Sequence, residues 1–143
     1  MHIDGLDDDA IRAVLTGTRR IAVVGASANP QRPSFAITGL LIRAGYAVTP
    51  VNPGLAGQAL LGRTVAASLD DAAPLDMVDV FRATDQVPPV IADAIRLGAR
   101  TVWLQLGIVH AEAAAQARAA GLVVVMDRCP AIEIRRLGLA LPA

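Results

Sequence analysis

Ile21-Ala22-Val23-Val24 is an unbroken apolar segment, bounded by Arg20 and Gly25. A short β-branched run of this kind reads as a strand buried on both faces of a parallel sheet. Gly25 permits a tight turn, and Ala26, Ser27 and Ala28 are small enough for another molecule to approach the backbone. After Asn29-Pro30-Gln31-Arg32-Pro33-Ser34, the spacing of Phe35, Ile37, Leu40 and Leu41 predicts a helix. A strand, a small-residue loop and a helix N-terminus together suit an anion, because unpaired N–H groups and the helix dipole face the loop. The expected ligand carries phosphate.

The rest of the chain repeats this alternation. Asp7-Asp8-Asp9 ahead of Ile11, Val14 and Leu15 predicts a short helix with acids at its positive end. Further strands are expected at Tyr46–Val51, Asp76–Phe81, Thr101–Gln105 and Leu122–Met126. Helices are expected over about 34–44, 87–97 and 111–120, with a last one ending near Leu137; Asp85 and His110 are candidate caps. Residues 55–75 are hard to read because Gly57, Gly62 and Pro74 interrupt them, although Ser68-Leu69-Asp70-Asp71 could begin one helical turn. Five strands alternating with helices require parallel pairing through crossovers. The expected fold class is α/β: a Rossmann-like three-layer domain with a five-stranded parallel sheet. It is read as one domain over 1–143, with a helical extension at 1–19 and a core at 20–137.

Composition removes several function classes. The chain has 13 arginines, no lysine and 13 acids, so its formal charge is zero and no basic stripe is present for a nucleic acid. Without lysine there is no P-loop lysine, Schiff base or lysine general base. Cys129 is the only cysteine, which excludes an internal disulfide and a CxxC pair; with two histidines, no metal site is expected. No apolar run nears the ~20 residues that span a membrane, and residues 1–9 are acidic and unlike a secretory signal, so a cytoplasmic location is expected.

In a parallel sheet the ligand crevice lies beyond the carboxyl ends of the strands. A dinucleotide fingerprint would place G-x-G-x-x-G after the first strand and an acid at the end of the second. The loop here is Gly25-Ala26-Ser27-Ala28-Asn29-Pro30 and the second strand ends Val51-Asn52-Pro53, so an NAD(H)-binding regulatory domain is a weaker alternative. Ser27 and Ser34 offer hydroxyls, and Arg32 offers charge-assisted bonds to phosphate. Val51, Asn52 and Pro53 read either as a plain turn or as a wall for an adenine edge. Phe81 is core or an extension of that wall, Arg82 adds a second positive charge, and Trp103 reads as core. Gln105 and Gly107 lie where the fourth strand reaches the crevice.

These residues carry a resemblance. Gly25-Ala26-Ser27, Asn29-Pro30, Arg32-Pro33-Ser34, Gly45-Tyr46 and Pro50-Val51-Asn52-Pro53 look like the stand-alone CoA-binding domain family. So do Val80-Phe81-Arg82, Val102-Trp103-Leu104-Gln105-Leu106-Gly107 and Met126-Asp127-Arg128-Cys129-Pro130, in the right order from about Arg20 to Glu133. That family is similar to the nucleotide-binding domain of the succinyl-CoA synthetase α subunit. The resemblance implies strand order 3-2-1-4-5, pyrophosphate over the first loop and adenosine near the ends of strands one to three. The ligand it implies is coenzyme A or an acyl-CoA, held by Gly25, Ala26, Ser27, Arg32, Ser34, Val51, Asn52, Pro53, Phe81, Arg82, Gln105 and Gly107.

No triad, carboxylate pair or metal cluster emerges, so no catalytic residue is assigned. Cys129 is open to two readings: a packed strand-end residue, or a redox thiol activated by Arg128 and the helix beginning at Pro130. Asp127 and Glu133 are equally able to pair with Arg128, Arg135 or Arg136. The leading expectation is a binding module for CoA; the other class is a subunit or fragment of an acyl-CoA synthetase system. A homodimer or an acyl-CoA enzyme are the candidate protein partners.

Overall fold

The computed structural model describes residues 2–140. Helix α1 (Asp8–Gly17) leads into β1 (Arg20–Val24), α2 (Pro33–Arg43) and β2 (Ala47–Val51). A minimal hairpin, β3 (Ala59–Leu60) and β4 (Arg63–Thr64), and one helical turn, α3 (Leu69–Ala72), precede β5 (Met77–Val80). The chain ends with α4 (Val87–Arg96), β6 (Thr101–Leu104), α5 (Ala111–Ala119), β7 (Val123–Val125) and α6 (Pro130–Arg136).

Five strands form one parallel sheet, and its two faces are buried under different helices. Alternation along each strand sets the partition. Ala22, Val24, Val78, Val80, Val102 and Leu104 meet Ile91 and Ala94 of α4 and the alanines of α5. Ile21, Val23, Met77, Trp103 and Val125 meet Ile11 and Leu15 of α1, Leu41 of α2 and Ile134 of α6. The expected three-layer, Rossmann-like α/β class is the observed one. Alanines at 113, 114 and 117 leave α5 no long side chains to hold it away from the sheet.

The expected order 3-2-1-4-5 needs correcting. The observed order is β2-β1-β5-β6-β7, which for the five main strands counted along the chain is 2-1-3-4-5. The position outside β2 holds only a single parallel bridge, Val51 to Ala66. There Ala66 N–H donates to the Pro50 carbonyl at 2.9 Å, and Asn52 N–H donates to that of Ala66 at 3.0 Å. Residues 55–75 are too interrupted to extend this bridge: Gly57 and Gly62 adopt φ +83° and +81° around the hairpin. The reversal of winding therefore falls between β1 and β5, and a doubly wound sheet opens its crevice at such a reversal.

Helix ends follow the local chemistry. Asp7 caps α1 by accepting from Ala10 N–H, and Ser68 caps α3. His110 caps α5, its Nδ1 accepting from Ala113 N–H at 3.1 Å, as its position suggested. Asp85 instead lies within a 3-10 turn, Thr84–Gln86, and the N-cap of α4 is Gln86 with no side-chain bond.

Candidate functional site

The loop after β1 lies against the end of β5. Gly25 has φ +88°, and a Cβ there would lie 2.9 Å from the Phe81 carbonyl carbon. Only glycine satisfies both the left-handed backbone and this close approach. The N–H groups of Gly25 and Ala26 donate to the Val51 carbonyl at 3.2 and 3.3 Å. They are therefore committed within the fold, unlike the free anion donors the loop suggested.

Asn52 is committed in the same way. Its Nδ2 donates to the Ala26 carbonyl at 2.8 Å, and its Oδ1 accepts from Gly54 N–H at 2.8 Å. It ties the β2 turn to the β1 loop, which makes it a positioning residue. Ser27 Oγ accepts from Asn29 N–H, leaving its own hydrogen free to donate. Helix α2 begins at Pro33 with Arg32 as N-cap and no side-chain capping bond.

A cavity of about 480 Å³ opens over this junction, bordered by Gly25, Ala26, Ser27, Arg32, Ser34, Asn52, Phe81 and Arg82. Eight of the residues expected at the site meet there. Among the described residues neither Arg32 nor Arg82 has a carboxylate partner, and both are exposed at the rim. Two unneutralised guanidinium groups, hydroxyls and an uncapped helix start suit a phosphate-bearing anion. A neighbouring cavity of about 220 Å³ takes in Val51 and Pro53 with Ser68, Pro89 and Val90. A third, of about 540 Å³, is bordered by Ile37, Leu106, Ile108, Gln105 and Cys129, and shares Pro33, Phe81 and Arg82 with the first.

Gly107 borders none of the three. Its N–H donates at 2.7 Å to Asp127, which itself adopts φ +56°, so this glycine joins the β6 and β7 loops. Gln86 was missed by sequence reasoning, yet it borders the first two cavities. Its only signal was proximity to Arg82.

Arg128, which the redox-thiol reading set beside Cys129, has its guanidinium committed to carboxylates. It is buried, donating to both oxygens of Asp4 at 2.8 and 2.9 Å, to Glu133 Oε1 at 2.8 Å and to the Leu6 carbonyl. Trp103 is core, as expected, and its Nε1 donates to the Arg128 carbonyl at 2.8 Å.

Asp79 is a second feature that sequence reasoning passed over. It is fully buried on β5 between Val23 and Trp103, and neither carboxyl oxygen has a hydrogen-bond partner. Burial pushes its pKa well above the ordinary carboxylate value. The folded protein holds the proton, whereas the unfolded chain releases it near pH 4, so stability falls as pH rises from about 4 towards the raised folded pKa. Asp79→Val should add about 2 kcal/mol at pH 8, roughly 6 °C in Tm, and less at pH 4. Thermal melts at both pH values check this; a gain independent of pH would show that the carboxyl is not neutral in the fold.

Comparison with known proteins agrees with the geometry. The model of the family described as CoA binding domain matches residues 19–135. The uncharacterized protein YneT of Bacillus subtilis (strain 168) is 36% identical over 119 residues, covering 83% of this chain and 87% of YneT. A hypothetical protein from Pyrococcus horikoshii OT3 has TM-score 0.91 and 38% identity, with 97% of each chain covered. A Thermus thermophilus structure has TM-score 0.87 and 39% identity, covering 92% of this chain and 99% of the other. With its strands, its loop after β1 and its crevice all inside the matched span, this chain belongs to the CoA-binding domain family.

Proposed function

We propose that the protein binds coenzyme A, with its phosphates drawn to the cavity between β1, α2 and β5 and its adenosine end towards Val51, Pro53 and Ser68. The observation that carries this reading is the pair of guanidinium groups, Arg32 and Arg82, that border the first cavity without a carboxylate partner among the described residues. A guanidinium is matched in shape and charge to phosphate oxygens, and CoA carries a pyrophosphate and a ribose phosphate. Ser27 and the buried Ser34 also line this cavity and add hydroxyls. The residues of this chain bind and orient; the ligand brings the phosphates and the thiol. Family membership supports the same ligand class.

The end of β2 argues against a nicotinamide dinucleotide. Asn52 stands where an acid would hold a ribose diol, and its amide is already bonded at both ends.

Calorimetry with CoA, acetyl-CoA and NAD at moderate salt tests the proposal. CoA is expected to bind, and NAD to bind more weakly or not at all. Arg32→Ala and Arg82→Ala should each weaken CoA by about tenfold to a hundredfold, the size of a charged hydrogen bond, with little change in Tm. No CoA binding at millimolar concentration overturns the reading. Equal affinity for CoA and acetyl-CoA would extend it to acyl-CoA.

A further inference from the structure

Resting on the CoA reading, we propose that Cys129 exchanges with CoA disulfide to form a protein–CoA mixed disulfide, the cavity beside α2 delivering the ligand sulfur. Three observations converge on this cavity. Its walls include Ile37, Phe81, Leu106 and Ile108, an apolar lining suited to the long thiol-bearing arm of CoA. It shares Pro33, Phe81 and Arg82 with the phosphate cavity, so one ligand anchored by its phosphates can extend into it. Gln105 and Cys129 both border it, and both are more than nine-tenths buried.

Gln105 is the independent pointer to a ligand. Its Oε1 is buried without a hydrogen-bond partner among the described residues. A buried amide left unsatisfied costs about 1–3 kcal/mol, so such a group calls for a partner. The arm of CoA carries two amides, each able to supply the missing donor. Cys129 is a free thiol, with only 8% of its surface exposed. Bulk disulfides therefore reach it poorly, and access belongs to a ligand that the cavity accepts.

The step balances without a further oxidant. The Cys129 thiolate attacks one sulfur of CoA disulfide, the S–S bond of the disulfide breaks, and a new S–S bond joins Cys129 to one CoA. The second CoA leaves as a thiolate and takes up the proton that Cys129 lost. With no second cysteine in the chain, no internal disulfide can displace the adduct; an external thiol reverses it. Occupancy would then follow the ratio of CoA disulfide to CoA thiol.

The test uses the reduced native protein, incubated separately with CoA disulfide and glutathione disulfide, and followed by intact mass. One CoA adduct is expected, reversed by dithiothreitol and absent in Cys129→Ser. It should form at least about tenfold faster than the glutathione adduct, which corresponds to 1.4 kcal/mol of recognition. Gln105→Leu should reduce that preference, read as the ratio of the CoA to the glutathione adduct rate on the same variant. No CoA adduct on the native protein, when the urea-unfolded chain does form one, overturns the proposal, and so do equal rates with the two disulfides. A preference that survives Gln105→Leu overturns the assignment of Gln105. Calorimetry of the reduced protein with CoA thiol separates the two levels: binding without adduct overturns the exchange alone, and absence of binding overturns the CoA reading with it.

Discussion

Gly25→Ala is expected to cost about 3–5 kcal/mol and to abolish the proposed CoA binding in whatever fraction remains folded. Two costs coincide at this position. The residue sits at φ +88°, where an L side chain is strained by about 1–2 kcal/mol. The added methyl would also run into the Phe81 carbonyl, with its carbon 2.9 Å away and the Phe81 Cβ 3.3 Å away. The carbonyl is backbone at a strand end, held by the pairing of Val24 with Val80 and by the bond from Phe81 N–H to the Val24 carbonyl. Relief would require parting β1 from β5, at the place where the cavity bordered by Arg32 and Arg82 opens. Gly57→Ala supplies the control, because Gly57 has φ +83° and an added methyl there would meet nothing within 4 Å. It should lose only the conformational part, about 1–2 kcal/mol. Urea melts of the two variants compare them directly; equal losses would show that the Phe81 contact relaxes freely.

What could be read in the sequence was what local chemistry alone decides. The five apolar segments became strands because each lies between helices that cover both sheet faces, and burial on both sides leaves a continuous signal. Gly25, Ser27, Arg32, Ser34, Asn52, Phe81 and Arg82 converge because strand ends in a parallel sheet share one edge. What could not be read depends on long-range partners. Nothing around Arg128 shows that Asp4, 124 residues away, would claim its guanidinium. Asp79 lies in a run that looks like an ordinary strand, and its missing partner is a property of the packed sheet. The order of the strands failed for a related reason: the third strand, expected outside β2, pairs with the other edge of β1, and no periodicity tells which side of β1 it joins.

Arg128→Met should cost about 3–5 kcal/mol, comparable with Gly25→Ala, although it removes a charge from the core. Arg128 is 2% exposed and binds a fully buried Asp4 side chain, while Glu133 retains Arg136 at 2.7 Å. The substitution therefore strands Asp4, which keeps only the N–H groups of Leu6 and Met126. In the native protein burial alone would raise the Asp4 pKa, but hydrogen bonds from Arg128, Leu6 and Met126 outweigh it and hold the pKa below the usual value. A lowered folded pKa means stability that is complete above about pH 4 and lost as pH falls through the folded value. Without Arg128, burial is opposed only by the two backbone donors, and the folded pKa should rise above that of the unfolded chain. The contribution of Asp4 then changes sign, and the variant loses stability as pH rises from about 4. Adding Asp4→Asn to Arg128→Met removes the stranded charge and should recover most of the loss and abolish the new slope. Denaturant melts of the single and double variants between about pH 4 and 8 read both effects. Recovery matters beyond stability, because the Arg128 carbonyl accepts from Trp103 and the next residue is Cys129. The ion pair with Asp4 thus fixes the segment that presents the thiol. If Arg128→Met leaves Tm and the pH slope unchanged, the N-terminal segment is held by α1 packing alone.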